Sequence, residues 1–439
     1  MFPNFRRWII LLVYVCLFPV ILLPGQAHAN GPLVFVVDST DDITDYAPGN
    51  SVCSANQITG GPCTLRAAIY EAYLNVHYTN VIIHLDSNTY NLTIPPDMAN
   101  NINTGDLDIP NITTMYKITI VSNDPINPAV IDANSLDRVL RIGEGVRIRL
   151  ENIVIRGGLL SLSDESPEGA GILNRGNLEL HNTVIEDNEA RCAQQPCPYI
   201  VGGGILNFGE ILMTSATIRR NISPDASGLF NVSPGRVVIL NSTVANNQAG
   251  NNWTMINFGY LHFRNSTVSN NTAGQFVGLL NHGDLVVESS TFANAGNRAS
   301  ITNSSTGTVW IKDTILKALP AQNSYNCDNA GNWNSNGYNI FSDNTCLGNS
   351  GGDLVNTDPK LGPLGHWGGP TMTRPLLTGS PAVNHRPTNC TTITYSPLLP
   401  PETLTFDQRY FSRNDGMCDT GAFEGTAEVL NVFLPLVLK

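Results

Sequence analysis

The chain has 439 residues, of which only 14% are charged, and a formal net charge of −12. That charged fraction lies well below the roughly 25% of an average soluble domain, and with no Lys/Arg run after residue 7 a nucleic-acid partner is excluded as an expectation. The hydrophobic fraction of 42% is ample for a core, and Asn, Thr, Ser and Gly fill the polar positions; the length suits two or three ordinary domains or one long repeat body.

In chain order, Arg6 and Arg7 precede an apolar run from Trp8 to Leu23, then Pro24, Gly25 and "AHA". This is the pattern of a signal peptide covering residues 1–29, with cleavage after Ala29; an uncleaved anchor is the alternative, although the run is short for a span. No later stretch is apolar for long enough to cross a bilayer. Residues 30–80 form an N-terminal segment that opens with "DSTDDITD" at Asp38. It could bind Ca²⁺ but lacks the Gly and terminal Glu of an EF-hand loop, so a solvated acidic loop is expected and no metal or cofactor is assigned. In "CTLRAAIYEAYLN", Leu65, Ala68, Ile69 and Ala72 recur at helical spacing behind a candidate N-cap, Thr64. An amphipathic helix capping the first coil is expected, with "VIIHL" at Val81 as the first strand.

Residues 81–315 carry an internal repeat. Asn174, Asn207, Asn231, Asn257, Asn281 and Asn303 form one column, with intervals of 33, 24, 26, 24 and 22 residues. Gly176, Gly209, Gly235, Gly259, Gly283 and Gly307 follow them, and a third column holds Thr183, Thr217, Thr243, Thr267, Thr291 and Thr314. Between the Gly and Thr columns apolar residues alternate with others, the period of a half-buried strand. A period of 20–50 residues marks a solenoid. Short strands without a helix in each repeat leave an all-β fold, a right-handed parallel β-helix. The asparagine amides are expected to stack as a hydrogen-bonded ladder, and each following glycine to supply the positive φ of a turn. The longest interval holds Cys192 and Cys197 in "EARCAQQPCPYIVGG", read as a disulfide-pinned loop. Asn-x-Ser/Thr matches such as Asn241 and Asn265 are read as turns rather than glycosylation sites.

Outside the leader are eight cysteines, an even number that favours disulfides in an exported chain. The connectivity is open; neighbours in the chain point to Cys53–Cys63, Cys192–Cys197, Cys327–Cys346 and Cys390–Cys418. Zinc is the competing reading, without suitable spacing or a His pair.

The ends of the repeat carry a resemblance. "CTLRAAI" resembles the CSLREA motif of bacterial secreted β-helix proteins, with "GDLDI" at Gly105 and "IVIRGG" at Ile153 similar to the coils that follow it. "LTGSPAVN" at Leu377, "DQR" at Asp407 and "CDTGAFE" at Cys418 resemble the choice-of-anchor Q region, and "GGGIL" at Gly202 is similar to repeats of polymorphic outer-membrane proteins. The resemblance implies an exported or surface-associated β-helix with a C-terminal accessory region at residues 316–425 and a tail at 426–439. It brings no catalytic residues.

Two places are candidates for chemistry. Glu186 and Asp187, followed one coil later by Arg219 and Arg220, stand where later coils have Asn246/Asn247 and Asn270/Asn271. They could serve a polysaccharide lyase or glycoside hydrolase, or form a salt bridge between rungs. The outward strand positions Glu179, Leu212, Val238, His262, Val286 and Trp310 make an unusually apolar column beside His181, Thr214, Leu240, Arg264, Glu288 and Lys312. Either the segment from Leu316 onward folds back over this column, which is the expectation, or it faces an extended ligand. Together these readings give a monomeric, secreted or cell-surface protein of non-catalytic adhesive or glycan-binding role, with an extracellular glycan or cell-surface protein as partner.

Overall fold

The computed structural model describes residues 31–427 except 76–77, 98–101, 114–116, 162–168, 192–200, 276–277, 295–297, 320–323, 349, 394–399 and 414. The leader at 1–29, the pair Cys192/Cys197 and the end of the tail lie outside the described residues.

The chain winds as a right-handed parallel β-helix. Its coils stack into sheets of 11, 10 and 9 strands and a shorter one of five, each strand paired in parallel with those of the adjacent coils. In the coil that begins the ladder, Ile172–Asn174 lies in the 9-stranded (third) sheet. Asn177–His181 then lies in the 11-stranded (first) sheet, and Val184–Glu186 in the 10-stranded (second) sheet. Alternation sends every second side chain inward, so the interior is a column of aliphatic rungs such as Leu178/Leu180, Ile211/Met213, Val237/Ile239 and Leu285/Val287, all buried. Phe263 and Phe292 meet edge-to-face inside it, with centroids 5.2 Å apart.

The asparagine column is a ladder. Asn174 Nδ2 donates to Asn207 Oδ1 at 2.7 Å, and the series continues through Asn231, Asn257, Asn281 and Asn303 to Asn329 at 2.7–2.9 Å. Each amide also serves backbone groups of its own turn, so buried polar atoms are satisfied at every rung. The glycines act differently from the expectation. None of the six lies at positive φ; they are required because a β-carbon on Gly259 or Gly283 would stand 2.1 Å from the carbonyl oxygen of the glycine one coil earlier. Positive φ falls instead on a corner column between the first and second sheets: Asn182, Ser215, Asn241, Asn265, Ser289 and Asp313, where Asn and Asp tolerate the left-handed region best among residues with a side chain.

The expected threonine column mixes two neighbouring columns. Val184, Thr217, Thr243, Thr267, Thr291 and Ile315 are in register on the second sheet. Thr183 and Thr314 belong one residue earlier, in the column of Ser242, Ser266 and Ser290, whose hydroxyls accept backbone N–H groups from the preceding coil. One residue is the difference between facing inward and outward.

The stack also runs beyond its expected limits at 81 and 315. Leu33–Val36 pairs with Asn80–Leu85 ahead of Val81, and Ser324–Asn329, Asn332–Ser335 and Ile340–Phe341 add a further coil. The helix Leu65–Leu74 covers the first coil, and the Thr64 hydroxyl accepts the Ala67 N–H as its N-cap. Arg66 is fully buried. It pairs with Asp42 at 2.6 Å and donates to the carbonyls of Ile102, Gly105 and Asp106, so the arginine of "CTLR" fixes the cap to the strand that begins "GDLDI". Disulfides join Cys53–Cys63, Cys327–Cys346 and Cys390–Cys418, the chemistry of oxidising compartments. No helix among the described residues is long and apolar enough to cross a membrane.

Candidate functional site

The C-terminal region docks on the outward threonine column of the second sheet through hydrogen bonds more than through apolar contact. Gln408 is buried in the seam: its Nε2 donates to Thr243 Oγ1 at 3.0 Å, Thr371 Oγ1 at 2.9 Å and Met372 O at 3.0 Å, while its Oε1 accepts from Thr267 Oγ1 at 2.6 Å. Ala422 N donates to Thr291 Oγ1 at 3.1 Å, and Arg374 donates to Ser269 Oγ and Asn270 Oδ1, both at 2.7 Å. Asp407 accepts two bonds from the Arg409 guanidinium, which lies over the Phe423 ring. Arg413, fully buried, reaches Asn265 Oδ1, Gly421 O and Glu424. The "DQR" and "CDTGAFE" motifs therefore hold the accessory region on the stack. Asn265 is buried and its amide donates to Phe406 O at 2.7 Å, and that burial leaves no room for a glycan on the nitrogen.

The apolar outward column is in the expected register, and the structure divides it. Val238, His262 and Val286 are buried, with Ile393 packed on Val238, Tyr260 and Val286; Trp310 is half-buried, and Leu212 remains 40% exposed. The fold-back thus covers the middle of the column and removes it as an open ligand face. Beneath it His262 Nε2 and Glu288 Oε1 lie 2.8 Å apart, Arg264 Nε donates to Glu288 at 2.6 Å, and Ile393 N donates to the same carboxylate at 2.6 Å. Burial alone would raise the Glu288 pKa; hydrogen bonds and charge from His262 and Arg264, with the Ile393 N–H, outweigh it and hold that carboxyl below its usual range. Arg264 also pairs with Glu402, and Lys312 Nζ donates to Thr391 Oγ1 and Thr392 O.

A cleft of about 210 Å³ opens along this seam. From the stack it is lined by Thr214, Leu240, Asn241, Arg264 and Asn265, and from the C-terminal region by residues 402–406 and Tyr410. Phe406, Tyr410 and Phe411 are each 46–49% exposed on one short segment, with the Tyr410 hydroxyl fixed to Ser215 Oγ at 2.6 Å. The positive charge of Arg264 is met by two carboxylates, while its Nη2 is buried without a hydrogen-bond partner among the described residues. Little in the sequence marks this cleft, since its walls come from residues 214–265 and 402–410, far apart in the chain; the one local sign is the cluster of aromatics around "FDQRYF".

The other candidates resolve into structural roles. Glu186 and Arg219 are register partners and pair at 2.5 Å; Arg220 pairs with Glu186 at 2.9 Å and with Asp187 at 2.7 Å. The column Asp132, Arg156, Glu186 and Arg219 alternates in sign from coil to coil. One alignment is corrected: Arg219 is followed by Ala245 and Ser269, and Arg220 by Asn246 and Asn270. Asn247 and Asn271 continue Asn188 and Asn221 in a second amide ladder that ends at Asn294, at 2.9–3.2 Å. In the acidic N-terminal stretch Asp38 accepts the Cys63 N–H, Asp45 those of Ala47 and Ser54, and Asp42 binds Arg66. Among the described residues no group of three His, Cys, Asp or Glu side chains could hold a metal ion. At residues 366–370 the sequence "HWGGP" makes a bend, and Trp367 Nε1 donates to Pro363 O.

Comparison with protein-family models, with curated proteins and with solved structures finds no match to this chain.

Proposed function

We propose that the chain is an exported, non-catalytic β-helix that binds glycan in the seam cleft. One observation carries the reading: a concave, charge-balanced cleft lies beside three exposed aromatic rings on a single short segment. Sugars alternate C–H faces with hydroxyls, and an aromatic platform next to neutral donors and acceptors matches both. The ion pairs that engage Glu186 and Asp187 support binding over cleavage: they give both carboxylates a structural role between rungs, and neither lines the seam cleft. Export is supported by the three disulfides, by the leader-like start of the sequence, and by the resemblance to CSLREA and choice-of-anchor proteins, a grouping in which the chain is proposed to belong.

A glycan array followed by calorimetry tests this. Binding is expected that is lost in Tyr410→Ala and unchanged in Arg219→Ala, with no reducing or unsaturated ends released. Turnover of any bound glycan that disappears in Glu186→Gln would replace this reading with the hydrolase or lyase alternative.

A further inference from the structure

A second cleft, of about 260 Å³, opens on the outer face of the first sheet, one step along the same strands. Leu212 and Thr214 are successive outward residues of Glu210–Thr214, and Val238 and Leu240 of Arg236–Leu240. The first of each pair lines the outer cleft and the second the seam cleft. Two residues of strand span roughly 6–7 Å, somewhat more than the advance of one ring in an extended sugar chain. Each cleft alone is smaller than the roughly 300–1,000 Å³ of a drug-sized site and suits a single ring.

Resting on the glycan reading of the seam, we infer that the two clefts are successive subsites of one groove for an uncharged, linear hexose oligosaccharide lying along the strands. Charge selects the class. Glu179 is met by Lys117 at 2.7 Å and Arg149 at 3.5 Å, and Glu210 accepts from Asn177 at 2.9 Å. With Glu402 in the seam, carboxylates stand in both clefts and oppose a uronate, while their basic neighbours leave no net attraction for a cation. Hydroxyls suit both kinds of group. Each cleft is lined by an arginine that has one nitrogen buried without a hydrogen-bond partner among the described residues, Arg236 Nε in one and Arg264 Nη2 in the other, and such groups call for a polar partner. Exposed Leu212 supplies an apolar floor for the C–H face of a ring.

Calorimetry of the whole chain with cellulose-, starch- and mannan-derived ladders of one to four residues tests the groove, with oligogalacturonates of equal length beside them. Affinity for a neutral ladder is expected to rise about tenfold from one residue to three and to exceed that for the oligogalacturonates. Leu212→Glu, at an exposed position, removes the gain with length and keeps monosaccharide affinity. A flat series, a gain that survives in Leu212→Glu, or a preference for oligogalacturonate overturns the groove, and leaves the seam reading standing where Tyr410→Ala still abolishes binding. Absence of binding to every ladder, or binding indifferent to Tyr410→Ala, overturns both.

Discussion

Replacing Asn257 with alanine removes an amide that makes five hydrogen bonds in the middle of the ladder. Its Nδ2 donates to Asn281 Oδ1, Gly259 O and Asp284 O, and its Oδ1 accepts from Asn231 Nδ2 and Gly259 N. A hydrogen bond contributes about 0.5–1.5 kcal/mol net, and a buried group left without its partner costs about 1–3 kcal/mol. Asn231 Nδ2 keeps Gly235 O and Tyr260 O, so the main losses fall on Asn281 Oδ1 and Gly259 N. The expected destabilisation is about 3–5 kcal/mol. Asn329, at the last rung, accepts from Asn303 and donates to Gly331 O; its alanine variant should lose about 1–2 kcal/mol. Urea unfolding of the oxidised protein followed by far-UV circular dichroism compares the two, with the slope checked for constancy because stacked coils can unfold in stages. Equal losses at both positions, or less than about 1 kcal/mol at Asn257, would show that the amides fill turns without cooperating along the stack.

Three further outcomes are expected. Gly259→Ala places its β-carbon 2.1 Å from Gly235 O, so the coils must separate; the protein should fail to accumulate, and a variant of near wild-type melting temperature would contradict the close-approach explanation. Gln408→Ala removes the side-chain bonds from Gln408 to Thr243 and Thr267 while the Ala422–Thr291 bond remains, and limited proteolysis should then cut faster within residues 400–427 while the stack stays intact, whereas unchanged resistance counts against Gln408 as the latch. Burial pushes the Glu424 carboxyl up to about 7 despite Arg413 beside it. Its folded-state pKa lies above the unfolded value, so the stabilisation is complete below about pH 4.5 and is lost as pH rises through 7, about 2–3 kcal/mol from this group. Glu424→Gln should flatten the decline in urea midpoint between pH 5 and pH 8, and an unaltered slope argues against the assignment.

The repeat was legible because stacking imposes one requirement at each corner. An amide had to recur where the chain turns, a residue without a β-carbon where the coils approach most closely, and an apolar residue at every inward position. The reason for the glycines was misread as φ because the inter-coil distance exists only once two coils are stacked. The one-residue slips at Thr183, Thr314, Asn247 and Asn271 arose because neighbouring columns both carry Asn, Ser or Thr, and polar identity does not reveal which face a residue takes. The second ladder from Asn188 to Asn294 was hidden by the charged residues just before it in the first coils.

Period, alternation and composition by themselves determined the β-helix and its capping helix and pointed to, without fixing, the three cysteine pairings, since each depends on contacts between near neighbours in the chain or on a repeat that copies itself. Tertiary structure alone decided that Glu186 sits in an ion-pair column, that Val238, His262 and Val286 are covered while Leu212 is open, and that a cleft lies against Tyr410. The last two need residues some 100 to 200 positions apart to meet across a seam. Such a meeting is set by how one surface fits another, and a repeating pattern within either surface does not encode it.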